Sequence, residues 1–267
     1  QAEYQINDRV SFMRFLGLSL GDRVPDAKTI WLFRDTLVKA DVIEGLFKLF
    51  NLQLEQQGII SHKGTIVDAT FVEAPRQRNT REENRQIKEG KTPEGWDKPE
   101  NVSKVRQKDT DARWMTKNKE RHFGYKDHVK VDADSKLITA YSVTDASIHD
   151  SQALIELIDE KDQVLYADSA YSGNPIADKL PKGIKNQIHE KGYRNRPLSE
   201  EQKAENKKKS RIRARIEHVF GYMNGSLHGI TVRSIGIARA KFNIGLTNLI
   251  YNLCRYVILS RGMPTAG

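Results

Sequence analysis

The segment GTIVDATFV, residues 64–72, decides the fold class of this chain. It is short and rich in β-branched residues, which is typical of a buried strand, yet Asp68 lies in its middle. A second such segment, QVLYADSAYSG (163–173), carries Asp168. An ionised carboxylate among apolar neighbours loses hydration and needs compensation. Taken singly, each aspartate could instead accept backbone N–H bonds at a strand end or cap the next helix.

The surrounding segments predict an α/β fold. FGYKDHVKVDAD (123–134) and KLITAYSVTDAS (136–147) predict a hairpin, because the residues between them suit a tight turn. Three strands followed by alternating helices and strands is the order of a ribonuclease-H-like mixed sheet flanked by helices. The remaining predicted elements are a helix over 147–161 capped by Ser147 or Asp150, a helix over 173–181, a strand over 183–190, a basic helix from about 200, and an apolar helix over 236–260.

The chain divides into three predicted regions. Residues 1–60 read as helices and predict a small all-α N-terminal domain for DNA binding, dimerisation or both; Pro25 and Asp26 suit a helix start, and Gly58 a helix end. The ribonuclease-H-like domain is expected over 61–235, with a charged insertion at 73–121. That insertion lacks aliphatic periodicity, so we expect it to be flexible unless a partner holds it. Residues 236–267 should pack on the core as a C-terminal helix.

Composition favours a polyanionic partner. Lys and Arg number 44 against 35 Asp and Glu, which gives a net charge of +9 and a pI of about 9.4. Such a charge suits nucleic acid or an anionic membrane surface. The most apolar run, 244–259, is short and interrupted by Asn and Arg, so we expect no membrane span. Cys254 is the single cysteine, which excludes an internal disulfide and a Cys-based zinc site and fits a reducing cytosol.

A third carboxylate lies in the basic segment RIRARIEHVF, residues 211–220. Glu217 is the last acidic residue of the chain, and by itself it could simply pair with Arg213 one helical turn earlier. Together with Asp68 and Asp168 it could form a cluster at the carboxyl edge of a sheet. Carboxylates without cysteine suit Mg²⁺ or Mn²⁺, and two such ions can assist displacement at a phosphodiester.

The segments GTIVDAT, GYKDHVKVD, VTDASIHDS, YADSAYSG and RIRARIEHVFG occur in this order. In that order they resemble bacterial insertion-sequence transposases of the DDE class, specifically the insertion-sequence-five family, over nearly the whole chain. The family signature Tyr-x₂-Arg-x₃-Glu-x₆-Lys is matched at Arg213 and Glu217. Ser210 and Asn224 stand where the signature has Tyr and Lys.

The resemblance implies that Asp68, Asp168 and Glu217 are the DDE catalytic triad and the ligands of Mg²⁺ or Mn²⁺. It implies cleavage and strand transfer of double-stranded DNA at terminal inverted repeats and in target DNA. It also implies a homodimer, and a cytoplasmic, nucleoid-associated location in a bacterium. Two alternatives remain at this point: a catalytically inactive or domesticated DNA-binding relative, and a ribonuclease or repair nuclease with the same core.

Cations and aromatics outside the triad are candidates for DNA contacts. Trp114 and Trp96 lie in the charged insertion, where they could stack on opened bases or form a local cluster. His149 and His218 are candidates for positions next to the triad. The predicted phosphate contacts are Lys207, Lys208, Lys209, Arg211, Arg213 and Arg215 on the basic helix, and Arg113, Lys117 and Lys119 in the insertion.

Overall fold

The computed structural model describes residues 2–117, 119–172 and 178–261. The chain forms two compact units, residues 1–45 and residues 46–267. The division between them falls within a helix, so residues 46–60 belong to the second unit. This differs from the boundary at residue 60 that the sequence favours.

The described residues between 2 and 56 are helices joined by short connections. Asp26 caps one of them by accepting a hydrogen bond of 2.7 Å from the Thr29 amide, as the sequence predicts. Gly58 follows the last of them with φ +69°, which glycine adopts without strain. These helices are α1 (Ala2–Asp8), α2 (Val10–Phe15), α3 (Ala27–Lys39) and α4 (Ile43–Gln56).

The second unit is built on a mixed sheet of six described strands. β3 pairs with β1 along one of its edges. Along its other edge, the first residues of β3 pair with β2 and the later residues pair with β4. All three pairings are antiparallel. On the far side of β1, β5 and then β6 run parallel to it. The strands are β1 (Thr65–Glu73), β2 (Arg113–Lys117), β3 (Glu120–Asp132), β4 (Ile138–Asp145), β5 (Val164–Tyr166) and β6 (Lys185–Asn186). The β3–β4 hairpin is confirmed.

Helices cover both faces of this sheet. Successive residues of β1 point to opposite faces, so Ile66 and Val67 enter different cores. Ile66 packs with Ile216 and Val219, whereas Val67 packs with Leu154. The helices are α7 (Asp150–Leu157), α8 (Glu200–Arg213), α9 (Arg215–Gly225) and α10 (Ile237–Ser260).

Residues 73–121 are more ordered than the sequence indicates. α5 (Arg81–Lys88) begins with a reciprocal cap between Thr80 and Glu83, and the buried Trp96 donates its indole N–H to Glu83 at 2.9 Å. The expectation of a flexible insertion is therefore wrong for the described residues. The insertion also contains α6 (Val102–Val105) and β2. Polar contacts such as Trp96 with Glu83 support part of it, and aliphatic periodicity does not reveal such contacts.

Other local predictions differ in detail. His149, and neither Ser147 nor Asp150, caps α7. The predicted strand over 183–190 is reduced to the two residues of β6, and the predicted helix over 173–181 lies mainly outside the described residues. The basic helix is two helices, α8 and α9, which meet at Ala214. None of the described helices combines the length and the apolar character that crossing a membrane requires.

Candidate active site

The two aspartates lie at equivalent positions after paired residues of β1 and β5, which are neighbouring parallel strands. Ile66 of β1 is opposite Tyr166 of β5, and two residues later on each segment come Asp68 and Asp168. Adjacent strands are about 4.8 Å apart, so this register brings both residues to one region of the sheet. Asp168 also caps a short 3₁₀ helix by accepting a hydrogen bond of 2.6 Å from the Ala170 amide. Capping, one of the alternatives for a single aspartate, thus uses one of its oxygens.

The break between α8 and α9 places Glu217 beside the same region. Ile216 and Val219 are buried and hold α9 against the sheet face from which Asp68 points. Glu217 lies between them in the first turn of α9, and its side chain is exposed. A glutamate with apolar neighbours in sequence is therefore not buried with them, because successive helical residues point about 100° apart.

The three carboxylates are close enough to influence one another. Burial raises the pKa of Asp68 to about 6; its own backbone hydrogen bond from Ala69 and the Arg213 guanidinium act against this rise, and the charges of Asp168 and Glu217 add to it. A buried carboxyl beside two others is unfavourable when ionised. The region therefore lacks positive charge in proportion to its acids.

One cation does reach Asp68. Arg213 Nη1 donates a hydrogen bond of 2.8 Å to Asp68 Oδ2, and both side chains are largely buried. Arg213 Nε is buried and has no hydrogen-bond partner within the described part of the chain. Arg213 therefore contacts Asp68, which is remote in sequence, where the sequence alone suggested Glu217. The break at Ala214 accounts for this, because it ends the helix that would have aligned Arg213 with Glu217.

Two side chains that the sequence did not single out also face this region. The Tyr171 hydroxyl is buried and has no hydrogen-bond partner within the described residues; burial, followed by the charges of Asp68, Asp150 and Asp168, raises the pKa of Tyr171. It therefore remains a proton donor at neutral pH. His189 lies near Arg213, and burial followed by that charge lowers its pKa, so it is neutral at pH 7. In the sequence, the available sign that Tyr171 lies near the acidic residues is its position three residues after Asp168.

The donor set fits a hard divalent cation in chemistry. Three carboxylates supply oxygen ligands, a cation would offset their mutual repulsion, and the unpartnered Tyr171 hydroxyl could bond an oxygen held there. In residues 2–117, 119–172 and 178–261, however, no three acidic, His or Cys side chains already converge as a metal-binding group. The Arg213–Asp68 pair explains part of this, since the guanidinium holds one Asp68 oxygen.

The predicted DNA-binding cations fall into two groups. Lys209 is buried and donates to the Ile188 carbonyl at 3.2 Å, Arg215 donates to the Ala133 carbonyl at 2.6 Å, and Arg113 donates to backbone carbonyls including that of Ala112. These three side chains bond to backbone carbonyls within the chain, and their contact with DNA stays a prediction. The exposed cations of the predicted set are Lys207, Lys208, Arg211, Lys117 and Lys119.

The predicted aromatic and histidine residues also differ in their surroundings: some are packed or bonded within the chain and one is exposed. Trp114 is half-buried, packs 5.1 Å from the Phe123 ring and carries the Arg121 guanidinium over its face at 4.9 Å, so the local cluster describes it better than a free stacking surface. Trp96 is buried and belongs to the same alternative. His149 is occupied as a helix cap with Ser151. His218 is exposed beside Glu217.

Comparison with known proteins shows which family the chain belongs to. Residues 1–36 match a family described as a transposase domain (DUF772). The fold is similar to the cryo-EM structure of a piggyBac transposase synaptic complex with hairpin DNA, at 12% identity and a TM-score of 0.40. That similarity covers 91% of this chain and 57% of the other, so this chain spans little more than half of that protein. Residues 60–253, most of the chain and all three carboxylates, match the transposase DDE domain, and the chain therefore belongs to that family of transposases.

Proposed function

We propose that this transposase binds the terminal inverted repeats of a bacterial insertion sequence of the insertion-sequence-five type, cuts DNA strands there and transfers the freed ends to target DNA. The observation that carries the proposal is the electrostatic coupling of Asp68, Asp168 and Glu217, which come from two parallel strands and a helix. A buried carboxyl with a raised pKa beside two further carboxylates is typical of a site that needs a bound cation.

The order of the strands supports the proposal. From one edge to the other, β4, β3, β1, β5 and β6 follow each other, with β3 antiparallel to its neighbours and β5 and β6 parallel to β1. This is the order expected of a ribonuclease-H-like sheet, in which the central strand and the parallel strand beside it carry acidic residues. We infer a catalytic domain of this type, preceded by a helical region for DNA binding or dimerisation.

The residues of the site would divide the work. Asp68, Asp168 and Glu217 would hold Mg²⁺ or Mn²⁺, which when bound supplies charge neutralisation and polarisation at a phosphodiester. Arg213 would leave Asp68 and turn its guanidinium to a DNA phosphate, which forms comparable charge-assisted hydrogen bonds. The Tyr171 hydroxyl, which stays protonated, would donate a hydrogen bond within the acidic site.

The reaction requires two displacements at phosphorus. In the first, a water oxygen forms a bond to phosphorus and the 3′ oxygen leaves as a hydroxyl, so the strand is cut. In the second, that 3′ hydroxyl attacks a phosphodiester of target DNA, a new phosphodiester forms, and the target's own 3′ oxygen leaves. No covalent link to the protein is needed, and both displacements can use one site.

The test is strand cleavage of a labelled duplex that carries the inverted repeat of the element. With Mg²⁺, the wild-type protein should nick this duplex at the end of the repeat, and Asp168→Asn should not, while binding of the duplex persists. Lys207→Ala, an exposed change on α8, is the control for general weakening of DNA binding. Cleavage by Asp168→Asn at the wild-type rate would reject the assignment.

An inactive or domesticated relative remains the alternative function. The presence of all three acids favours the active enzyme, and absence of Mg²⁺-dependent nicking with intact binding would favour the alternative. We further propose a homodimer, since two DNA ends must be joined, and a cytoplasmic location beside the nucleoid. The +9 net charge and the exposed Lys and Arg of α8 support a DNA partner, with binding that weakens steeply as salt increases.

A further inference from the structure

A tight turn before α8 is preorganised by contacts at its base. Tyr193 and Arg196 exchange two backbone hydrogen bonds of 3.0 Å, which leaves Arg194 and Asn195 at the tip. The Asn206 side chain on α8 clamps the base of the turn, because it accepts from the backbone N–H of Glu190 and donates to its carbonyl, both at 3.0 Å. These hydrogen bonds attach the base of the turn to α8.

This turn presents an aromatic ring to solvent. Tyr193 is 64% exposed, and it is the one exposed aromatic side chain among the described residues of the second unit. The Lys191 ammonium lies 6.0 Å from the centre of its ring. A single exposed aromatic needs no explanation by itself. Here the ring is held on a rigid, cationic turn, and it forms one wall of a cavity.

The cavity has a volume of about 330 Å³ and a mixed lining. This volume is at the lower end of the range for small-ligand sites. Tyr193, Pro197 and Leu198 form apolar walls, Lys191 and Arg196 supply positive charge, and Ser172, Glu190 and Gln202 complete the lining. The Gln202 side chain donates to Glu190 Oε2 and accepts from the Ser199 amide, which leaves the second Glu190 oxygen as an acceptor for a ligand. Such a lining can bind a ligand with a flat ring, a negative charge and polar groups on the edge of the ring. A nucleotide has all three features.

The position of the cavity relates it to the acidic site. Ser172 lies directly after the 3₁₀ helix that Asp168 caps, and it donates to the Ser169 carbonyl at 2.7 Å, so it is held close to that helix. A nucleotide bound in the cavity would therefore lie near the carboxylates. A base inside a duplex is already stacked on both faces by its neighbours, so the nucleotide that we expect in this cavity is an unpaired one.

We propose that the turn of residues 190–198, with Ser172 and Gln202, binds one unpaired nucleotide of the DNA end, with its base stacked on Tyr193 and its phosphate beside Lys191 and Arg196. This inference rests on the proposed function, because it assumes that DNA ends reach the acidic site. Glu190, whose Oε2 accepts from Gln202, would accept through its other oxygen from an amino group at the edge of the base, and Arg194 at the tip would contact a flanking phosphate.

The experiment compares two duplexes of the element's end in chelator, one fully paired and one with a short unpaired extension that contains 2-aminopurine. The wild-type protein should bind the extended duplex about ten-fold more tightly, since stacking of one base has an effect of this order, and stacking should quench the 2-aminopurine fluorescence. Tyr193→Ala should lose both the preference and the quenching. Tyr193→Phe should keep both, because it retains the ring.

Lys203→Ala is the matched control, since Lys203 is exposed on α8, pairs with Glu200 and does not line the cavity. It should keep the preference for the extended duplex. Equal binding of both duplexes by the wild-type protein, or an unchanged preference in Tyr193→Ala, would overturn the pocket. Free nucleoside monophosphate that competes as well as the extension would also overturn it. Failure of the wild-type protein to bind even the paired duplex would instead contradict the proposed function.

Discussion

Two groups of buried charged side chains in the sheet are compensated differently. On β3, Lys130 Nζ lies 2.8 Å from Asp159 and 3.0 Å from Asp162, so this buried cation faces two carboxylates. At the acidic site, Asp68 has one cationic partner and two acidic neighbours, and its pKa is raised to about 6. The first region is complete within the chain and holds the fold together. The second has excess negative charge and is suited to binding an external cation.

The largest expected effect tests the compensated region. Lys130→Met should lower the free energy of unfolding by about 3–5 kcal/mol, because it leaves the buried Asp162 without its cation. Urea unfolding at pH 7 measures this loss. Lys208→Ala, which breaks the exposed pair with Glu205, is the control and should change stability by less than about 1 kcal/mol. Equal effects of the two changes would remove the distinction between a buried and an exposed pair.

Glu217→Gln tests the acidic region, where we expect a large loss of activity and little loss of stability. Because this side chain is exposed and has no hydrogen bond within the described residues, the free energy of unfolding should change by less than about 0.5 kcal/mol. The rate of Mg²⁺-dependent strand cleavage should fall at least about 100-fold, since even groups behind a metal ligand have effects of 10- to 100-fold. A stable variant with the wild-type cleavage rate would exclude Glu217 from the site.

The raised pKa of Asp68 predicts how stability depends on pH in chelator. A carboxyl with a folded pKa of about 6 and an unfolded pKa near 3.9 stabilises the folded state when protonated. This contribution is fully present below about pH 4 and is lost as the pH rises through about 6, a loss of up to about 3 kcal/mol. Asp68→Asn should not suffer it, so its stability relative to wild type should increase over that range. Parallel pH profiles from thermal unfolding would contradict the raised pKa.

The smallest expected effect concerns Arg213, the cation that contacts Asp68. Arg213→Gln should tighten Mn²⁺ binding by up to about five-fold, because it frees the Asp68 oxygen that now accepts from the guanidinium. Isothermal titration calorimetry at pH 8 without DNA measures this change. Arg211→Gln, an exposed change on the same helix, should leave the affinity unaltered. Weaker Mn²⁺ binding in Arg213→Gln would mean that the arginine supports the ion.

Local sequence pattern predicts structure best where short-range interactions dominate. The hairpin of β3 and β4, the Asp26 cap, the start of α8 and the long α10 were all predicted, because strand alternation, helix caps and apolar runs act over a few residues. It performed worst over residues 73–121. The order there rests on polar contacts such as Trp96 with Glu83 and Tyr125 with Asp109, which no periodicity reveals.

The candidate site shows the same division. The sequence predicted Asp68, Asp168 and Glu217 as site residues, because each is an acidic residue within an apolar segment. It did not identify which cations are free, since Lys209 and Arg215 look like Lys207 and Arg211 until their partners are known. Tyr171 and Tyr193 likewise could not be told from core tyrosines.

By itself, the sequence predicted most of the strands and helices outside residues 73–121 and the three candidate acids, because these follow from the order of side chains along the chain. Tertiary structure alone decided that Arg213 would bind Asp68, that Tyr171 would be buried beside the acids and that Tyr193 would remain exposed. The first two outcomes depend on the register between β1 and β5 and on the break at Ala214, and the third depends on the turn of residues 193–196. The register and the break arise from packing between segments that are distant in sequence, and so no local pattern encodes them.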